Sequence, residues 1–388
     1  MGHNSESLLL ELFAIFVAAK VLGELFERAR LPGVLGEIAA GVMLGPHALN
    51  FVPTSDTIHS LAEVGAIFVL FSAGLETSAR DLIRVGRKAL TVAVLGILIP
   101  FVLGFGFMKL RGDTSTEAIF VGAALMATSV GITARVLADL GVIATRTAKI
   151  ILGAAVFDDI LGMLLLAVVA GIASGGGLEW LHLGVLLVEA AAFAVFMIFV
   201  APRIVRRIHP RVEGLSTQNA SLIVALALCL FLSWLSATIG MAAIIGSFFA
   251  GLMFADYAPH WNLIPRVGGI TGFLGPYFFF SIGSQLDWRL FHGNVIVTAA
   301  VLSILAILSK LLGCGVPLLK EGWSTALRVG VGMVPRGEVA LIVAAVGLRS
   351  EIVSESTYAI VVAMTAVTTI VAPPLLRVLF RKEGAATA

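Results

Sequence analysis

Two aspartates stand side by side, Asp158 and Asp159, within Ile150-Ile-Leu-Gly-Ala-Ala-Val-Phe-Asp-Asp-Ile-Leu-Gly-Met163, a run otherwise made of apolar residues and glycine. Carboxylates are hard oxygen ligands and proton acceptors, suited to a proton or a small cation. A cationic candidate, Lys310, lies in a distant apolar run. Asp158 comes nine residues after Lys149 and Lys310 ten residues before Lys320. At about 1.5 Å per residue both fall roughly 13–15 Å from a charged helix end, the middle of an apolar layer about 30 Å thick. Neighbouring helical residues point about 100° apart, so one aspartate can meet a partner helix while the other faces a cavity. A charge at that depth costs about 2.5–3.5 kcal/mol on insertion scales and marks a functional site by default. A static Asp158–Lys310 pair is the structural alternative; a pair that opens and exchanges a proton is the functional one.

The remaining candidates lie at two interruptions. Ala127-Thr-Ser-Val-Gly-Ile-Thr-Ala-Arg135 offers Thr128 and Ser129, whose hydroxyl and carbonyl oxygens can complete a cation's shell beside the aspartates. Gly330-Val-Gly-Met-Val-Pro-Arg-Gly-Glu338 breaks a second apolar run. Pro and Gly weaken the helix ladder, and irregular backbone at this depth is tolerated only where protein or a water-filled cavity satisfies it. Arg336, Glu338 and Arg135 are candidates to compensate the partial charges of the half-helix ends. Packing of small residues between helices is the plainer explanation of the same Gly, Ser and Thr.

The elements that must hold these residues follow from composition. The 388 residues are 59% hydrophobic and 13% charged, with a mean hydropathy of +1.03, whereas soluble domains are about 45–50% apolar and about 25% charged. The expected class is an all-α polytopic membrane protein, which excludes a soluble enzyme, a nucleic-acid binder and a secreted disulfide scaffold. The net charge of +2 is dispersed, and Cys229 and Cys314 lie in apolar runs with neither metal-ligand nor disulfide spacing. The first apolar run lacks a basic leader and reads as a retained helix.

About thirteen transmembrane helices are expected, at 8–25, 33–49, 58–76, 88–108, 117–138, 149–173, 182–203, 217–236, 239–256, 268–286, 294–317, 323–348 and 356–379. Assigning alternate connections to opposite sides places 17 Lys and Arg on one side and four on the other. The rich side is then cytoplasmic, with the amino terminus outside and the carboxyl terminus inside. Lys20, Arg135, Lys310, Arg328 and Arg336 remain within spans. Lys20 can snorkel, and the histidines fall near span ends, which leaves the carboxylates to carry protons. With the seventh span as a linker, six spans on each side form two inverted-topology repeats. The interrupted fifth and twelfth spans hold matching places, a pattern that points to a midplane transporter site.

Together these residues resemble the monovalent cation:proton antiporter superfamily, and within it the bacterial sodium/proton antiporters of the NapA type. The resemblance runs from about Leu8 to Phe380. Its carriers, in order, are Leu35-Gly-Glu-Ile-Ala-Ala-Gly41, Phe71-Ser-Ala-Gly-Leu-Glu76, the Ala127–Arg135 segment, Gly153-Ala-Ala-Val-Phe-Asp-Asp-Ile-Leu-Gly162, Lys310 and Gly332-Met-Val-Pro-Arg-Gly-Glu-Val339. It implies one transporter unit over 1–380 with a short cytoplasmic tail, 381–388. A scaffold (8–76 and 217–286) would join, through a linker helix (182–203), an ion-transporting core (88–173 and 294–379) built on crossed broken helices, the fifth and twelfth. It implies Asp159 as the cation- and proton-binding residue and Asp158 as the partner of Lys310. It further implies a homodimer in a bacterial inner membrane and elevator-like movement, with no cofactor beyond transported sodium or lithium and protons, and no nucleic-acid or soluble partner. Asp158 argues for electrogenic sodium exchange, since relatives with Asn or Gln there are often electroneutral or potassium-type. Potassium/proton exchange is the alternative. A cation channel ranks below it, and an intramembrane aspartic protease lower still, because adjacent aspartates on one helix do not make its catalytic pair.

Overall fold

Most helices carry apolar side chains all the way round, as helices do when neighbours and lipid surround them, and every described element is helical. The computed structural model describes residues 5–384 apart from 30, 54, 78, 174–179, 214–218, 240, 288 and 290–292. Arg30 and the side chains of Arg80, Glu338, Arg349 and Lys382 lie outside the described residues. In chain order come α1 (Ser5–Arg28), α2 (Gly33–Leu44), α3 (Asp56–Leu75) and α4 (Ala79–Arg111). Next are the half-helices α5 (Ser115–Met126) and α6 (Val130–Asp139), then α7 (Arg146–Ala173). A π turn (Phe196–Val200) joins α8 (Trp180–Val195) to α9 (Ala201–Glu213). There follow α10 (Ala220–Thr238), α11 (Ala243–Phe254), α12 (Leu263–Ser284) and α13 (Asn294–Lys310), the last extended by a π turn (Leu311–Gly315) and a 3-10 turn (Val316–Glu321). The half-helices α14 (Trp323–Gly332) and α15 (Glu338–Arg349) precede α16 (Glu355–Gly384).

Among the described residues, six helical segments are long and apolar enough to cross a membrane: Asp56–Leu75, Arg84–Arg111, Ser115–Asp139, Ala220–Thr238, Val295–Glu321 and Glu355–Arg381. The helices outrun several expected spans where charged residues continue them. Arg84 and Arg87 belong to α4 rather than to a connection, and Arg203, Arg206, Arg207 and Arg211 lie on α9. On α9 Val205 and Val212 are buried while those four arginines are exposed, so one-sided apolar spacing lets the helix run on beyond the fully apolar stretch. The expected tail from 381 begins as helix, since α16 reaches Gly384.

The helices sort into two packing groups. In the first, α3 lies against α11 and α12, α2 against α1 and α12, and α10 against α11. In the second, α4 lies against α5, α7 and α13, α15 against α5, and α16 against α13, α14 and α15. The half-helix α6 touches α7 and α16 of the second group and reaches α2 and α3 of the first.

An internal repeat underlies the first group. The helices α2 (GVLGEIAAGVML) and α11 (AIIGSFFAGLMF) have the same length and carry glycine at their fourth and ninth positions. Gly36 and Gly246 rest on the backbones of α1 and α10. A Cβ on Gly41 would fall 2.0 Å from the Phe280 carbonyl oxygen of α12, and one on Gly251 would fall 2.3 Å from the Phe71 carbonyl oxygen of α3. Only glycine permits that approach, and close backbone packing holds helices together where lipid supplies no apolar contrast. Counting spans pairs these two helices as the second of each half, and the glycine spacing marks the pairing residue by residue.

Candidate ion site

The site is assembled from the two broken helices. After Met126 the chain leaves helical geometry at Ala127 and stays extended at Ser129, which precedes the first residue of α6. On the other side α14 ends at Gly332, and Pro335, which has no N–H and disfavours helix at the residue before it, keeps the chain open until Glu338. The two gaps meet. The Ser129 N–H donates to the Pro335 carbonyl (2.8 Å) and the Thr133 hydroxyl to the Gly332 carbonyl (2.7 Å). A Cβ on Gly337 would fall 2.8 Å from Ser129 Oγ, so the crossing also depends on a missing side chain.

Backbone groups freed in the second gap are satisfied from within the protein. Arg336, fully buried, donates through Nη1 to the carbonyls of Val334 (2.6 Å) and Met333 (3.1 Å) and through Nη2 to that of Ala306 (3.4 Å). The Thr369 hydroxyl donates to the Arg336 carbonyl (2.5 Å). The guanidinium thus sits against the negative, C-terminal end of α14, where the helix dipole favours a cation.

The helix α7 carries both aspartates past this crossing, and their fates differ. Asp158 is 3% exposed, and Lys310, fully buried on α13, donates to its Oδ1 at 3.3 Å. Arg336 lies within Coulombic reach of the same carboxylate. A π turn begins immediately after Lys310, a form of helix defect frequent at functional sites. Asp159 turns away from this pair. It is half-buried and lines a pocket with Thr128, Ser129, Val130, Gly131, Phe278 and Val339. Within that pocket the Thr128 hydroxyl oxygen is buried without a hydrogen-bond partner. The arrangement collects a carboxylate and two hydroxyl-bearing residues around one space, the donor set that a proton or a hard cation requires.

The structure therefore places Asp159, Thr128 and Ser129 in one pocket, Asp158 and Lys310 in a buried ion pair, and Arg336 in the second gap. Arg135 is placed elsewhere. Its Nε pairs with Asp139 on the same helix (2.9 Å), and the carbonyls of the second gap are left to Arg336. Glu338 begins α15, and its side chain lies outside the described residues. Sequence reasoning passed over Thr133, Thr369 and Phe278. Thr133 stands in the quoted motif, and Thr369 is a hydroxyl in an apolar span; nothing in the sequence distinguishes Phe278. Cys229 and Cys314 are buried free thiols.

The Asp159 pocket shares Ala242, Ile244 and Phe278 with a larger cavity of about 510 Å³. That cavity lies between the two packing groups, with Ala66 of α3 and Ile282 of α12 on one side and Leu341, Ile342 of α15 and Tyr358 of α16 on the other. It extends to His59 and Gln285, at the start of α3 and just past the end of α12.

The chain is similar to known proteins over nearly its whole length. The family model described as sodium/hydrogen exchanger, transmembrane, matches residues 12–382. The high-affinity Na(+)/H(+) antiporter NhaS3 of Synechocystis is 35% identical, over 97% of this chain and 90% of its own. The Na(+)/H(+)-K(+) antiporter GerN of Bacillus cereus is 34% identical, over 94% of each chain. The Na(+)/H(+) antiporter of Enterococcus hirae is 32% identical, over 95% of this chain and 97% of its own. In fold, the structure of the sodium proton antiporter MjNhaP1 from Methanocaldococcus jannaschii aligns with a TM-score of 0.67 at 17% identity, covering 98% of this chain and 99% of that one. This multi-pass membrane protein belongs to the transmembrane sodium/hydrogen exchanger family.

Proposed function

We infer that the chain is a secondary active antiporter that exports sodium, or lithium, in exchange for protons. One observation carries the assignment: Asp159 opens onto a pocket with Thr128 and Ser129, while the adjacent aspartate is already neutralised by Lys310. A single carboxylate lining that space can take a proton or a cation, and never both at once. Asp159 takes a proton on one side, crosses, releases it and binds sodium, with Thr128 and Ser129 completing the oxygen shell. As the cation enters, Asp158 and Lys310 part, and they re-form when it leaves, adding a second proton to the cycle. Two protons against one sodium move one net charge, so the membrane potential contributes about 2.3 kcal/mol per 100 mV.

In this proposal thirteen spans form two inverted repeats, with the amino terminus outside a bacterial inner membrane and the carboxyl terminus in the cytoplasm. The loop charges and the matched glycines of α2 and α11 support that arrangement. The first packing group is the scaffold and the surface of a homodimer, and the second is the core that carries the site across as an elevator. Arg336 compensates the ends of the broken helices, with Glu338 assigned the same part. The printed name of GerN keeps potassium as the second substrate to test.

The deciding experiment is cation-induced pH change in proteoliposomes, comparing sodium, lithium and potassium, with Asp159→Asn as control. Proton movement with sodium or lithium, lost in the variant, is expected. A response to potassium alone would move the selectivity to the alternative, and no proton movement with any cation would sink antiport. If Asp158–Lys310 is only a brace and the exchange is electroneutral, Lys310→Gln leaves voltage dependence unchanged.

A further inference from the structure

The interface between the two packing groups is open at one end and shut at the other, and charge is distributed unequally between the ends. At the open end the lining is mostly apolar, and Ile342 of α15 stands 49% exposed. At the shut end α6 presses on the scaffold. A Cβ on Gly275 of α12 would fall 3.4 Å from Arg135 Nη1. The Arg135 guanidinium is thus laid across a scaffold helix although its own helix belongs partly to the core. Within Coulombic reach of it, on α2, which packs against α6, is Glu37, 4% exposed. One oxygen of Glu37 accepts from Lys20 of α1 at 3.3 Å, and the other is buried without a hydrogen-bond partner. The charged groups around this carboxylate are Lys20 and Arg135, with Asp139 on α6, while Glu27 of α1 lies within Coulombic reach of Arg135. Lys20 belongs to the scaffold and travels with Glu37; Arg135 belongs to the moving side.

We propose that Glu37 is a positioning residue for transport: through Arg135, across the scaffold–core boundary, it holds the cytoplasmic end shut while the Asp159 pocket faces outward. This rests on the alternating-access reading above. A buried carboxylate with one oxygen left over is an incompletely neutralised charge, and the approach of Arg135 offsets it in this conformation only. When α6 moves with the core, Glu37 keeps Lys20 and loses Arg135, so the closed state is favoured by the difference. The internal repeat shows that the device is one-sided. The position in α11 that matches Glu37 of α2 is Ser247, whose hydroxyl is spent on the Ile244 carbonyl (2.8 Å), so the matched position carries no charge to hold the outer end.

The test places a cysteine in the outer cavity, Ile342→Cys, and measures its rate of labelling by a membrane-impermeant maleimide on the full protein in vesicles. Glu37→Gln and Arg135→Gln are each expected to slow labelling about five- to tenfold as the population shifts inward, with no further loss in the double variant. Glu37→Asp should recover part of the rate. Lys20→Gln, which removes the ion-pair partner of Glu37 but not the opposite charge across the boundary, should leave labelling fast. Equal slowing by Lys20→Gln, or additive slowing in the double variant, would overturn the proposal and make Glu37 a local structural residue. If labelling in the parent ignores sodium, alternating access itself fails; if it responds to sodium but ignores Glu37 and Arg135, this proposal alone fails.

Discussion

The two helix gaps have related backbones and opposite treatment. In the second gap a buried guanidinium and two hydroxyls take up the loose carbonyls: Arg336 serves Met333, Val334 and Ala306, Thr133 serves Gly332, and Thr369 serves Arg336. In the first gap Thr128 keeps a buried hydroxyl oxygen unpartnered, and Ser129 lines the same pocket as Asp159. One gap has its carbonyls taken up, with Arg336 Nε left as a donor without a partner, and the other is left with oxygen to offer. Buried polar atoms are ordinarily paired because leaving one unpaired costs free energy, so the unpaired oxygen beside a carboxylate is where a ligand belongs. A transporter built on crossed helices needs both kinds: a stopper that keeps the crossing rigid and an open side that changes its occupant.

This contrast can be broken at several points. The largest effect is expected from Asp159→Asn, which removes the one charged side chain among the described residues lining the open gap's pocket. A loss of about 2–5 kcal/mol, on the scale of truncating a desolvated charge, would leave exchange below detection in proteoliposomes without moving the unfolding midpoint. Lys310→Gln should act oppositely. It leaves Asp158 buried and unpaired, costing about 3–5 kcal/mol of stability, and Asp158→Asn in the same chain should restore most of the midpoint. Arg336→Gln is predicted to destabilise by about 2–3 kcal/mol by orphaning the Val334 and Met333 carbonyls. If it reduced cation affinity and left the melting curve alone, the stopper assignment would be wrong.

A smaller pair of substitutions sharpens the contrast directly. Thr128→Val replaces an unpartnered hydroxyl by a methyl, so stability should hold or rise by up to about 1 kcal/mol while the sodium KM increases. Thr133→Val makes the same chemical change in a hydroxyl that serves the Gly332 carbonyl, and it should cost about 1 kcal/mol with little effect on KM. Equal outcomes for the two would mean that the gaps do not differ in role.

Much of this was legible before any coordinates. Apolar run lengths put the two aspartates and Lys310 at a common depth, so that a charge pair among them was to be expected, without saying which aspartate enters it. Gly and Pro located both gaps. Helix ends were less legible. Charged residues on an amphipathic face, as on α9, extend a helix without extending the apolar run, so Arg203 to Arg211 read as a connection. The role of Glu37 was not legible at all: a carboxylate within Leu35-Gly-Glu-Ile-Ala-Ala-Gly41 reveals nothing about an arginine about a hundred residues away.

By itself the sequence determined that this chain is a membrane protein and which residue types lie at mid-depth, because burial in lipid constrains composition and depth follows from a fixed rise per residue. Only the tertiary structure decided which aspartate pairs with Lys310 and which faces the pocket, that Arg336 rather than Arg135 fills the second gap, and which end of the interface is closed. Those outcomes depend on the rotation of each helix about its axis and on which backbones come close enough to touch. Close packing at glycines such as Gly332, where a Cβ would fall 2.6 Å from Ile151 Cδ1 of α7, and Gly313, where one would fall 2.5 Å from the Leu95 carbonyl oxygen of α4, contributes to both.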